Sequence, residues 1–240
     1  MEKSSVMEII NPYEAAYDED YFRRLHNLNT SGNNPYREAQ RLLTIEACRP
    51  GRDDTVLELG CGTGLYCRML SPRVKRMIGV DYSPATIERA KAQTPQANIE
   101  YVLAGIQKLT MFPDHTFDKM ISIDVFEHIN DEQLAAVLSE VKRLLKPGGV
   151  LAFFTPCRSH WIEQLKDKNI ILKQFEEHIG VRTEAEYRRF SRQAGLQVKE
   201  VLRFETCLPG LRVVERLVKQ APLMGALFVS RLGITVTTLD

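Results

Sequence analysis

Three groups of residues carry reactive or ligand-binding side chains at telling spacings. The run Glu58-Leu59-Gly60-Cys61-Gly62-Thr63-Gly64 closes a short apolar stretch, and its glycines alternate with small residues. Glycine turns a backbone sharply and lets a ligand approach the main chain with no Cβ in the way. Asp81 follows 21 residues after Gly60, the spacing at which an acid accepts hydrogen bonds from a ribose diol. A nucleoside-bearing ligand is expected there. The second group is the five histidines, His26, His115, His128, His160 and His178, the residue type best suited to take a proton near neutral pH. The third is Asp124, Glu127 and His128, which place three oxygen or nitrogen ligands within five residues. A hard cation held there would lower the pKa of a bound hydroxyl. The alternative is a strand-end and helix-capping network, and no metal is assigned.

The elements that position these groups follow from a change of period along the chain. Asn34-Pro35 opens a helix that runs through Ala39, Leu42, Leu43 and Ile45 and stops before Pro50-Gly51. Strands are expected at 55–59, 75–80, 99–103, 119–123 and 150–154. Helices fall between them, from about Leu65, from Ser83-Pro84 to about Gln93, and from Asp131 after Asn130 to Leu145, where Pro147-Gly148-Gly149 is expected as the stop. Strands separated by helix-length segments imply βαβ units and a mostly parallel sheet covered on both faces. Residues 157–182 lack a clean period and read as an insertion over the pocket, carrying His160, Trp161, Phe175 and His178. Thr183 and Glu186 have capping-box spacing ahead of a helix that Gly195 ends, and 197–204 alternate as a strand. Leu211, Val214, Leu217 and Val218 give 211–220 an apolar face, and 233–239 is the closing strand. The segments 157–182 and 205–225, with Leu208, Leu211, Val214 and Leu217, are expected to line the pocket of a hydrophobic or aromatic ligand.

Composition removes whole classes. At 44% hydrophobic and 26% charged residues, the 240-residue chain is an ordinary globular sequence. Lys and Arg number 32 against 31 Asp and Glu, so a net charge of +1 leaves no electrostatic footprint for nucleic acid. The five cysteines show no C-x-x-C pair, which fits a reducing compartment and argues against zinc or a disulfide framework. No leading apolar run suggests a signal peptide. The longest apolar stretch, 221–229, falls well short of the roughly 20 residues a membrane span needs. A cytoplasmic protein with no integral membrane association is expected, organised as one domain: a helical segment to residue 50, a core over 51–156 and substrate-side elements over 157–240. Nothing in the sequence fixes its oligomeric state.

The glycine loop is equally specific in what it lacks. A dinucleotide fingerprint needs its third glycine at position 65, which is Leu65, and no phosphate-loop lysine follows. Val56–Gly64 resembles the first motif of the class I S-adenosylmethionine-dependent methyltransferases. Val80-Asp81-Tyr82-Ser83 resembles their following acidic motif, 117–129 their fourth-strand motif, and 144–151 their helix-to-fifth-strand motif. The variant at 117–129 is similar to that of the small-molecule branch that includes ubiquinone-type O-methyltransferases. The resemblance, covering about 35–155, implies a Rossmann-like α/β fold with seven strands, only the last antiparallel. It implies S-adenosylmethionine as cofactor and methyl transfer to an oxygen or nitrogen of a small molecule. Glu58 would steady the loop, and Gly60, Cys61 and Gly62 would pass under the methionine part. Asp81 would hold the ribose, Tyr82 would flank it, and Ser122 and Ile123 would border the cofactor. Gly105 stands where relatives carry an adenine-binding acid, so Ile106, backbone groups or Gln107 must take that contact. Glu177-His178-Ile179 also resembles the small-molecule branch, which makes His178 the preferred base ahead of His128. A non-catalytic binding scaffold and a Rossmann oxidoreductase are the alternatives.

Overall fold

The computed structural model describes residues 34–168, 177–221 and 224–238. Helix α1 (Pro35–Ala47) starts where the Asn34 side chain accepts from the Tyr36 amide and Pro35 presets the first helical φ. The core then alternates β1 (Thr55–Leu59), α2 (Leu65–Leu70), β2 (Arg76–Asp81), α3 (Pro84–Ala92), β3 (Ile99–Leu103), β4 (Phe117–Ile123), α4 (Asp131–Leu144) and β5 (Leu145–Pro156). Beyond it lie α5 (Trp161–Asp167), α6 (Glu184–Gln193), β6 (Leu196–Phe204), α7 (Pro209–Val218) and β7 (Arg231–Thr238). The expected capping box of Thr183 and Glu186 forms, and Asn130 with Gln133 makes a second one at α4.

All seven strands share one sheet in the order β3-β2-β1-β4-β5-β7-β6. Only β7 runs against its neighbours. The period-2 alternation of buried strands sends side chains into two apolar layers. Leu57, Met120, Leu151 and Phe153 share one cluster with Leu134, Val137 and Val141 of α4. Val56, Ile121, Ala152 and Phe154 share the other with Ile45 of α1, Leu70 of α2 and Ile87 of α3. Strand order reverses between β1 and β4, and ligands of such sheets bind outside the carboxyl ends at that point.

The start of β5 differs from expectation. Pro147-Gly148-Gly149 does not separate helix from strand. Leu145 already pairs with Phe117, and the register shifts before Lys119 meets Val150. Gly148 adopts a φ of 72°, so the glycines form an irregularity inside the strand.

Candidate functional site

After β1 the chain turns through Gly60, Gly62 and Gly64 at φ of 70°, 51° and 76°. Their surroundings separate their roles. A Cβ on Gly60 would stand 2.5 Å from Val125 Cγ2, and one on Gly64 would stand 2.0 Å from the Tyr101 hydroxyl oxygen. A Cβ on Gly62 would meet nothing within 4 Å. The outer two glycines are therefore packing sites, and the middle one faces open space. Asp81, at the end of β2, is buried and joined to this loop. Its Oδ2 accepts from the Gly62 amide at 3.0 Å and its Oδ1 from the Ser83 amide at 3.0 Å. Burial raises its proton affinity, and the Ser83 and Gly62 amides offset part of that rise. A carboxylate offers about four lone-pair positions, and those not taken by the Ser83, Gly62 and Tyr82 amides are left for the hydroxyls of a ligand.

Several expected cofactor residues lie beneath this surface. Glu58 is buried, accepts from the Cys67 thiol at 3.0 Å, and is pushed up to about 8 by burial. It steadies the start of α2 behind the loop. Cys61 and Ile106 are buried in the two apolar layers. Ser122 donates its hydroxyl to the Leu59 carbonyl at 3.3 Å, and Ile123 closes β4 as a buried residue. Tyr82 is half-buried beside Asp81. Sequence reasoning missed Leu103, which stands 51% exposed at the end of β3, two residues before Gly105. An apolar residue ending a strand ahead of a glycine was the available signal.

The end of β4 is arranged by two arginines that sequence reasoning also missed. Asp124, at a φ of 53°, accepts from Arg41 Nε at 2.8 Å and lies 2.6 Å from its Nη2. This carboxylate is paired with α1, while its charge still acts on Glu127 and His128. Arg37 sits one turn earlier on α1, and its buried Nε has no hydrogen-bond partner among the described residues. Arg182 is buried and donates to the carbonyls of Phe126, Ile129 and Gly180 at 2.9, 2.8 and 2.7 Å, and to Asp131 at 2.8 Å. The Gly180 amide donates to the Glu127 carbonyl at 2.8 Å, and a Cβ on Gly180 would lie 2.0 Å from the Ile129 carbonyl oxygen.

This clamp brings His178 against His128, with ring centroids 5.0 Å apart and edge to face. Their sequence separation of 50 residues hides the pairing. His128 Nδ1 lies 3.1 Å from the Glu177 carbonyl oxygen, so Nδ1 carries the proton and Nε2 the lone pair. Burial lowers the proton affinity of His128, and burial together with the neighbouring His128 lowers that of His178 to about 4. Glu127 is buried, accepts from the Thr155 hydroxyl at 3.3 Å, and is raised by burial to about 8. One ligand atom from each of Glu127, His128 and His178 lies within 4.8 Å of the others. In composition, a cation-binding trio would be this one, with His178 where the sequence suggested Asp124. The Nε of Arg231, at the start of β7, is buried without a partner among the described residues.

The remaining histidines fall elsewhere. The His115 ring meets the Leu145 carbonyl at 2.8 Å, and His26 and Phe175 lie outside the described residues. His160 Nε2 donates to Glu215 at 2.8 Å, and Trp161 Nε1 donates to the same oxygen at 3.3 Å. Trp161 thus anchors the insertion to α7. The expected lining of the pocket by the tail is corrected at three positions. Leu208, Val214 and Leu217 are exposed, because the polar side of α7 turns inward through Glu215.

Residues 57–153 match the family model described as a methyltransferase domain. It is 37% identical over 108 residues to a probable S-adenosylmethionine-dependent methyltransferase of Mycolicibacterium smegmatis, covering 45% of this chain and 39% of that protein. It is 29% identical over 119 residues to the ubiquinone biosynthesis O-methyltransferase of Rhodopseudomonas palustris, covering 50% of this chain and 44% of that protein. The chain thus spans about two fifths of the length of these relatives. Its fold is similar to that of a putative methyltransferase solved in complex with the Haloferax volcanii Trm112 methyltransferase activator. That likeness has a TM-score of 0.65 at 22% identity and covers 92% of this chain and 97% of that one.

Proposed function

We propose that this protein transfers a methyl group from S-adenosylmethionine to an oxygen or nitrogen of a small hydrophobic or aromatic acceptor. The observation that carries the reading is the link between the open face of Gly62 and the buried Asp81 carboxylate. The residues present fit the cofactor at both ends. Asp81 suits the ribose hydroxyls, and the Arg37 guanidinium, whose buried Nε has no partner among the described residues, suits the carboxylate of the methionine part. Leu103 offers an apolar face for a base where no acid stands. When bound, S-adenosylmethionine supplies a methyl already activated by its sulfonium. The protein's work is then to position the acceptor, exclude water and remove a proton where the acceptor is a hydroxyl.

His128 suits that last task better than His178. Its Nδ1 proton is fixed on a carbonyl, so Nε2 is the basic atom, whereas a proton affinity near 4 makes His178 a weak base. His178 packs against the His128 ring and orients it.

Calorimetry with S-adenosylhomocysteine and with methylthioadenosine, which lacks the amino-acid part, tests the cofactor site. Arg37→Met should weaken the first and leave the second unchanged. Failure of the wild-type protein to bind S-adenosylhomocysteine would overturn the reading. Product formation with a panel of phenols and amines then separates an enzyme from a binding scaffold.

A further inference from the structure

Helix α7 presents a surface that the fold does not explain. Val213, Val214 and Leu217 stand 58%, 52% and 76% exposed, and Leu208 before the helix and Met224 after it are each 55% exposed. These five are large apolar side chains gathered on one short segment, which a protein at rest in water rarely displays. The same helix turns its one acid inward. Glu215 is fully buried and accepts from His160, Trp161 and the Thr206 amide. What remains outside is apolar or cationic. Arg212 lies over the Tyr36 ring at 4.8 Å, and Arg216, 61% exposed, and Lys219 share the buried Glu205 carboxylate. Two of these cations thus share one acid that is itself almost wholly covered, and Arg212 stands over a ring.

We propose that α7 is an interfacial helix that seats this protein on a membrane surface bearing anionic headgroups. A peptide segment with an apolar face and cations at its flanks lies in the plane of such a surface, its apolar side chains between the headgroups. The acid in the sequence of α7 speaks against this until the fold shows it buried. The geometry also joins the surface to the insertion after β5, because Glu215 holds both His160 and Trp161. A seated α7 therefore places the acceptor side of the molecule at the lipid, where a hydrophobic acceptor would be dissolved. The proposal goes beyond the methyl-transfer reading, and its test does not use turnover.

The test is co-sedimentation of the full chain with phosphatidylcholine vesicles, with and without phosphatidylglycerol, alongside calorimetry with S-adenosylhomocysteine. Binding is expected to the anionic vesicles and to weaken as salt is raised. Leu217→Asp and Val214→Asp should each weaken it by roughly tenfold or more, because both place a charge on the inserted face. Arg216→Gln should weaken it less. The two Asp variants should keep the wild-type melting temperature and cofactor affinity, since Leu217 and Val214 project into solvent. No binding to anionic vesicles would overturn the proposal, as would binding that Leu217→Asp and Val214→Asp leave unchanged. A dimer seen by ultracentrifugation, dissolved by Leu217→Asp, with no vesicle binding, would assign the face to a second copy of the chain instead.

Discussion

At the scale of single residues, the site separates groups that can touch a ligand from groups that hold the first set in place. Asp81 belongs to the first. Its replacement by Ala should weaken S-adenosylhomocysteine binding by about 1–3 kcal/mol, read by calorimetry, because two ribose hydroxyls lose a charged acceptor. Unchanged affinity would mean that the ribose is held elsewhere. His128 and His178 divide in a similar way. His128→Gln should cut turnover of a hydroxyl acceptor by ~10²–10⁴ with cofactor affinity intact. His178→Gln should cost less, and a loss confined to His178→Gln would reverse the assignment. Glu58 was expected to steady the loop, and its carboxyl lies behind it, accepting from the Cys67 thiol.

At the scale of elements, the glycine loop and the clamp at Arg182 do the positioning. The loop makes a contrast testable by two variants of equal size. Gly62→Ala should fold and lose affinity for the cofactor, because the added methyl enters open space where the ligand passes. Both bear the left-handed backbone cost of about 1–2 kcal/mol, and Gly64→Ala should lose further stability through its clash with Tyr101. Chemical denaturation and calorimetry on both proteins read this contrast, and equal behaviour would refute it. Arg182→Met should cost about 2–4 kcal/mol, since three buried carbonyls lose their donors. It should also lower turnover more than cofactor affinity, by freeing the segment that holds His178 against His128.

At the scale of the whole molecule, buried carboxyls set how stability follows pH. Glu58 binds its proton up to about 8 in the fold against an ordinary 4.5. Its contribution is fully present below the unfolded value and is lost as pH rises through the folded one, since the unfolded chain ionises first. Glu127 acts with the same sign. His128 and His178, whose proton affinities are lowered, act with the opposite sign and cost stability as pH falls below the ordinary histidine value. Glu58→Gln keeps an acceptor for Cys67 and cannot ionise. Its melting temperature relative to the unaltered protein should therefore rise between about pH 5 and pH 8. A constant difference across that range would show that Glu58 does not titrate as described.

The sheet, its helices and the cofactor end of the site were legible in sequence because each depends on short-range pattern. Strand and helix periods, the caps at Asn34, Asn130 and Thr183, and the Gly60–Asp81 spacing all act over about 20 residues or fewer. The irregular start of β5 was missed because Pro147-Gly148-Gly149 signals a stop locally, whereas pairing with Phe117 draws Leu145 into the strand. The meeting of His128 with His178, the pairing of Asp124 with Arg41 and the solitary Arg37 nitrogen depend on contacts between distant segments. So does the orientation of α7, whose periodicity marks an apolar face without saying which way it turns. The burial of Glu215 against His160 and Trp161 decided that, because a carboxylate satisfied inside the fold leaves the apolar side of its helix outside.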